Sequence, residues 1–342
     1  MSRFLRSRAF IMMTVAGMIM STSYAKPDLT KVVDMSLLHA KDTGYSFSYR
    51  DFNAIAPDLS SSVDLPSTIQ TYAKPRHYRV WLAIPQQQVD HQLSNNSAKT
   101  PSKVLYILDG NAAIDDLDKD ILLSLAHSST QETAPVLVFI GYQRPYRFDV
   151  DARAYDYTPP LLVNNADSGA FQENDRERLN GGAEHFYALI EKEIKPWVYE
   201  QLGEKPEQEA IWGHSYGGLF VLYNLFEHPE AYQTYFSADP SLWWQDGEMA
   251  RYWQAFQNLP KAQLSDISKT KQLRLTFSQS QEQTTIPTVN PVTTSVTSIT
   301  LDKNDFAKEV CSVLQESCSY QFYNQTHGEV FTTSLLESLQ RL

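Results

Sequence analysis

Residues 213–217 read Gly-His-Ser-Tyr-Gly, a G-x-S-x-G pattern set between a short strand-like run at 209–212 and a long apolar stretch at 217–226. If the first run is a strand and the second a helix, Ser215 lies on a sharp turn that lifts its hydroxyl above a sheet. The bare pattern is common by chance, and the strand–turn–helix setting is what gives it weight. A serine hydroxyl becomes a useful nucleophile only when a base takes its proton. His327, in Thr326-His327-Gly328, directly follows the strand-like run 319–324 and is the histidine best placed for this. His228 precedes Pro229 at a helix end, and His185 lies early in an amphipathic stretch. His214 flanks the serine with its ring directed away from the hydroxyl. An oxyanion hole needs two backbone donors. The N–H of Tyr216 is one, and the loop Asp109-Gly110-Asn111, after the run 104–108, offers Gly110 and Asn111 for the other. The chain order nucleophile, acid, histidine leaves two carboxylates that follow strand-like runs, Glu282 after 273–277 and Asp239 after 232–238. A Ser–His dyad without an acid stays open beside them.

These residues need elements to hold them at one edge. The stretch 77–85 alternates and is rich in β-formers, whereas 104–108 and 135–142 are continuously apolar, as strands covered on both faces are. Segment 183–201 repeats apolar residues at helical spacing, with Pro196 expected to kink it or shorten a turn. Further strands are expected at 209–212, 232–238, 273–277 and 319–324, and helices at 112–125, 217–226, 302–314 and 331–342. Segments 86–103, 143–180 and 284–300 read as loops. Strands alternating with helices imply an α/β fold with a mostly parallel central sheet and helices on both faces. Ligands of such sheets sit at the carboxyl ends of the strands, where Ser215, His327, Glu282, Asp239 and the loop Asp109-Gly110-Asn111 fall.

The first 25 residues have the three parts of a secretory signal: Arg3, Arg6 and Arg8, then the apolar run 9–20, then Ser23-Tyr24-Ala25. The expected mature protein is one domain, 26–342, exported to the periplasm or secreted, with no membrane insertion after cleavage. It carries 26 basic against 40 acidic residues, which disfavours wrapping nucleic acid or lying on anionic lipid. Cys311 and Cys318 are the only cysteines. On one continuous helix they would stand about 10 Å apart, too far to bond, so a disulfide requires the helix to end between them. Two cysteines without a nearby His pattern make a poor zinc site. No metal or other cofactor is expected.

The stretches RHYRVWLAIP (76–85), VLYILDGNAAID (104–115), ARAYDYTP (152–159), GGAEHFYALIEKEIKPWV (181–198), WGHSYGGLFVLYNLFEHPEAY (212–232), DPSLWW (239–244) and THG (326–328) resemble the esterase D-like α/β hydrolases. Within them they are most similar to the periplasmic hydrolases of catecholate trilactone siderophores, enterobactin and its glucosylated relatives. The likeness covers most of residues 75–332. It implies an α/β-hydrolase fold and an esterase cutting serine ester bonds of the trilactone, with Ser215 as nucleophile and His327 as base. Two positions depart from the family pattern. Family members often carry Ser or a small residue where this chain has Asp239. The strand 273–277 is usually followed by a Gly-containing turn and a Glu, and here Ser278-Gln279-Ser280-Gln281-Glu282 lacks the glycine. The likeness favours Glu282 slightly as the acid.

A ferric tris-catecholate is anionic and aromatic, and calls for Arg and aromatic walls. Arg144, Arg147 and Arg153 follow the run 135–142, with Tyr157, Trp243 and Trp244 as candidate walls. The competing reading makes these arginines surface ion pairs with Asp149, Asp151 and Asp156. Two other functions remain: a general carboxylesterase, feruloyl-type esterase or acyltransferase of the same fold, and a non-catalytic periplasmic siderophore-binding protein.

Overall fold

The computed structural model describes residues 30–57, 59, 72–86, 103–127, 134–163, 166–167, 169–173, 176–279 and 302–342. The signal-like segment 1–25, the stretch 284–300 and Glu282 lie outside the described residues.

Eight strands form the main sheet: β1 (Tyr45–Ala54), β2 (Arg76–Pro85), β3 (Lys103–Ile107), β4 (Val136–Tyr142), β5 (Gln208–His214), β6 (Thr234–Ala238), β7 (Gln272–Ser278) and β8 (Cys318–Tyr323). Their order is β1-β2-β4-β3-β5-β6-β7-β8. β2 runs antiparallel to both β1 and β4, and from β4 to β8 every pairing is parallel. The parallel part therefore presents the carboxyl ends of β3, β5, β6, β7 and β8 along one edge.

The helices are α1 (Gly110–Asp116), α2 (Lys119–His127), α3 (Val150–Asp156), α4 (Ala183–Leu189), α5 (Lys195–Leu202), α6 (Tyr216–Glu227), α7 (Met249–Gln257), α8 (Lys261–Thr270), α9 (Lys303–Leu314) and α10 (His327–Gln340). Side chains alternate along a strand, and the core divides accordingly. Val104, Tyr106, Val136, Val138 and Ile140 pack with α4–α9 on one face. Leu105, Ile107, Leu137, Phe139 and Trp212 pack with α1, α2 and α10 on the other. Fully burying one such side chain is worth about 1.5–3 kcal/mol, so the continuously apolar strands are explained by their two-sided cover.

Three local expectations change. Segment 112–125 is two helices, because Leu117 is extended and separates α1 from α2. Segment 143–180 is not wholly irregular: Asp149 caps α3, its side chain accepting from the Ala152 N–H. The last helix starts at His327 itself, where Thr326 and Glu329 form a reciprocal capping box. Near Pro196 the helical stretch adapts by a π-turn at Ile190–Ile194, which leaves the proline at the start of α5. The helical backbone is continuous there, and the wider π-turn accommodates the ring and the missing N–H of the proline. Cys311 and Cys318 are bonded: α9 ends at Leu314, a short 3-10 turn follows, and β8 opens at Cys318.

Candidate active site

Three residues at the carboxyl ends of the parallel strands carry a left-handed backbone: Asp109 two residues after β3 (φ 50°), Ser215 directly after β5 (φ 62°) and Asp239 directly after β6 (φ 37°). Non-glycine residues there cost about 1–3 kcal/mol each and persist only where the surroundings impose them. At Ser215 those surroundings are visible. Its N–H donates to Ala238 O at 2.9 Å, and its carbonyl opens α6 by accepting from Leu219 N. A Cβ on Gly213 would collide with the backbone of Gly217, and one on Gly218 would come within 2.9 Å of Ala238 O and 3.0 Å of Pro240 Cα. Gly217, by contrast, has ordinary room for a methyl group, its nearest neighbour lying 3.6 Å away. The steric demand of the motif falls on Gly213 and Gly218.

His327 and Asp239 come together from distant parts of the chain. β6 pairs with β7 and β7 with β8, so the residues after these strands converge. His327 Nδ1 lies 2.7 Å from Asp239 Oδ2. The carboxylate is fully buried and also accepts from Ser278 Oγ at 2.6 Å and from Lys303 Nζ at 2.6 Å. Burial opposes its ionisation. The His327 hydrogen bond and the Lys303 charge outweigh burial and hold the carboxyl well below the usual carboxylate range. Asp239, the second of the two acid candidates, is thus the carboxylate in contact with His327.

His214 is buried against this pair. Its ring centroid is 4.4 Å from that of His327, and its Nε2 donates to His327 O at 2.8 Å. Burial first, then the closeness of His327 and Arg153, pushes its protonation far down, so it is a neutral prop against His327. His214, Asp239 and His327 also bring metal-ligating atom types within 4.8 Å of one another. Those atoms are already committed: His214 Nε2 to His327 O, and His327 Nδ1 to Asp239. Ser215 Oγ is 3.1 Å from Ser241 Oγ.

Gly110 and Tyr216 are the first residues of α1 and α6, and β3 and β5 are parallel neighbours. Two helix N-termini therefore stand side by side at the serine, with N–H groups that have no intrahelical acceptor. The Asn111 side chain is buried and spent on the backbone, giving Nδ2 to Tyr142 O and Arg144 O and accepting from Tyr142 N. It ties α1 to the end of β4.

The expected substrate residues divide. Arg153 forms a two-pronged pair with Asp109, Nε–Oδ1 at 3.0 Å and Nη2–Oδ2 at 2.9 Å. Its guanidinium also lies over the Tyr216 ring, 5.6 Å from the centroid. Arg147 is paired with Asp115 and Asp116, and Arg144 with Asp149 at 2.7 Å. Tyr157 is fully buried, and its hydroxyl accepts from Asp109 N at 3.1 Å. Trp244 is also buried, with Nε1 donating to Asn180 Oδ1. Tyr157 and Trp244 are corrected from ligand walls to core supports, since neither offers surface to a ligand. Trp243 is 48% exposed, 6.2 Å from the Tyr216 ring and 5.9 Å from the Arg176 guanidinium. Sequence reasoning singled out neither Ser241 nor Lys303. The expected helix start at residue 302 gave the position of Lys303 but not its partner.

The Esterase family model matches residues 85–341. The apo-salmochelin esterase of Escherichia coli O6:H1 (strain CFT073) is 36% identical over 221 residues, 64% of this chain and 58% of the relative. The siderophore enterobactin esterase of Emericella nidulans is 30% identical over 153 residues, 44% of this chain and 50% of the relative. The chain thus spans between half and two thirds of the length of these curated relatives. Among solved structures, the enterobactin hydrolase IroE in complex with DFP superposes with a TM-score of 0.59 at 27% identity, covering 86% of this chain and 94% of that one. The sheet order and helical cover described above are those of the α/β-hydrolase fold, and the chain belongs to the Esterase family.

Proposed function

We propose that this chain is an exported serine esterase that hydrolyses the ester bonds of a catecholate trilactone siderophore. Ser215 is the nucleophile, His327 the general base and Asp239 the acid. With Nδ1 turned to Asp239, Nε2 of His327 is left to take the serine proton and later return it to the leaving alcohol. The N–H groups of Tyr216 and of Gly110 or Asn111 receive the oxyanion, each worth about 3 kcal/mol of barrier. The observation that carries the reading is the 2.7 Å contact of His327 with a buried carboxylate beside a serine on a strained strand-to-helix turn.

The named activities of the relatives supply the substrate class. Trp243, exposed beside Arg176, is the aromatic face available to a catecholate ring, and Arg144, exposed although paired with Asp149, is a further cation. Two observations favour a general carboxylesterase as the second reading: Arg147 and Arg153 are already paired with carboxylates, and two of the three aromatic candidates are buried. Among the described residues no helix is long and apolar enough to cross a membrane, and export rests on the pattern of residues 1–25.

The test is mass spectrometry of ferric and metal-free enterobactin after incubation with the protein, beside a neutral feruloyl ester. Ring-opened linear trimer formed much faster than free ferulate supports the proposal. Hydrolysis of the feruloyl ester alone would replace it with the second reading.

A further inference from the structure

The Asp239 carboxylate has three partners. Oδ2 is shared by His327 Nδ1 and the Ser278 hydroxyl, and Oδ1 accepts from Lys303 Nζ at 2.6 Å. The same ammonium donates to Ser278 Oγ at 3.2 Å, so serine and lysine form one clamp on the acid. Lys303 is the first residue of α9, and Asp302 before it is occupied as the cap, accepting from Asn304 N and Asp305 N. A cation in the first turn of a helix opposes the helix dipole, so the helix gains nothing from a lysine there. α9 is anchored instead by Phe306, Ala307, Val310 and Leu314. The Lys303 side chain is 30% exposed and contributes little to the core.

We propose that Lys303 is a positioning residue of the catalytic centre: it holds the Asp239 carboxylate in line with the imidazole and, through its charge, moderates the pull of that carboxylate on the His327 proton. The inference rests on the Ser215–His327–Asp239 reading. Two consequences follow from charge and geometry. Without the ammonium, the uncompensated carboxylate favours the imidazolium, and the free base forms only at higher pH. The carboxylate also loses one of its three anchors, and the base loses orientation.

The groups facing His327 are few. Asp239 comes from the end of β6, His214 from the end of β5 and Lys303 from α9, with Arg153 behind His214. Glu329, on the histidine's own helix, is engaged with Thr326 N and Oγ1. Burial keeps His214 neutral, while Asp239 and Glu329 are held below the ordinary carboxylate range, Glu329 by its hydrogen bonds to Thr326. These three neighbours therefore add no titration of their own to the acid limb of activity.

The test is the pH profile of kcat/KM on p-nitrophenyl acetate for the wild type, Lys303→Met and Lys303→Arg, with folding checked by circular dichroism. In Lys303→Met the acid limb moves up by about one pH unit and kcat falls about tenfold. Lys303→Arg keeps the charge and leaves the limb in place. Lys303→Gln serves as the neutral variant if Lys303→Met does not fold. An acid limb unmoved in the neutral variant overturns the proposal, as does Lys303→Arg moving it equally far. Asp239→Asn, run alongside, separates the two levels. A nearly fully active Asp239→Asn removes the acid and with it the triad reading. An inactive Asp239→Asn with an unmoved limb in the lysine variant removes the role of Lys303 alone.

Discussion

Replacing Asp239 by Asn changes one atom and, on this geometry, the tautomer of the base. The new amide has one oxygen and one NH2 group, and the surroundings decide which faces His327. On the Oδ1 side stands the Lys303 ammonium at 2.6 Å, which can only donate. The amide oxygen must go there. The NH2 group then faces His327 Nδ1, while the Ser278 hydroxyl, able to donate or accept, does not discriminate. Facing a donor, Nδ1 must accept, so the ring proton moves to Nε2, the nitrogen that the proposed mechanism needs to take the Ser215 proton. The loss expected from a wrong tautomer is about 10⁴-fold in kcat, or ~5 kcal/mol of barrier. The cause has its own check. In the double variant Asp239→Asn/Lys303→Met the amide is free to flip its oxygen toward Nδ1, and kcat should recover at least about tenfold relative to Asp239→Asn, since the geometry of the amide is otherwise kept. The assay is steady-state hydrolysis of p-nitrophenyl acetate, with folding checked by circular dichroism. A loss of only a few-fold in Asp239→Asn would refute the acid assignment. A double variant no better than the single one would refute the tautomer argument.

Other outcomes follow from the same structure. Asp239 is ionised more readily in the fold than at its ordinary value of 3.8, so its stabilisation is complete above that value and is lost as pH falls through the lower folded one. The difference in melting temperature between wild type and Asp239→Asn should not narrow between about pH 8 and 5 and should narrow below about pH 4, which a calorimetric series would show. Arg153→Ala strands the buried Asp109 carboxylate and should cost about 3–5 kcal/mol in urea unfolding. An unchanged midpoint would show that the pair is not structural. Reducing Cys311–Cys318 opens a short loop and should cost about 2.5 kcal/mol by the chain-entropy relation, read as a lower urea midpoint with dithiothreitol.

Much of the fold was legible because its strands are buried on both sides. The runs 104–108 and 135–142 are apolar without alternation, and the structure gives each of them cover on both faces. Ser215 was legible because an elbow leaves a local record, glycines between a strand and a helix, although the second crowded glycine proved to be Gly218. The position of His327 could be read from the end of the last strand. Which carboxylate meets His327 could not be read from the chain, since that depends on which strand end lies beside the histidine, a matter of pairing across β6, β7 and β8. Tyr157 and Trp244 misled for a related reason: aromatic type does not say which side of the backbone faces the core. Trp243 and Trp244 are adjacent, and one is exposed while the other is buried. Lys303 was hidden because its partner lies 64 residues away.

The most direct test of the central claim is to treat the intact protein with a fluorophosphonate and map the adduct by peptide mass spectrometry, with and without a catecholate trilactone. Ser241 Oγ lies only 3.1 Å from Ser215 Oγ, so the map separates the nucleophile from its neighbour. The expected result is a single adduct on Ser215, slowed by the trilactone and absent in Ser215→Ala. An unlabelled protein, or an adduct on Ser241 that persists in Ser215→Ala, would contradict the account.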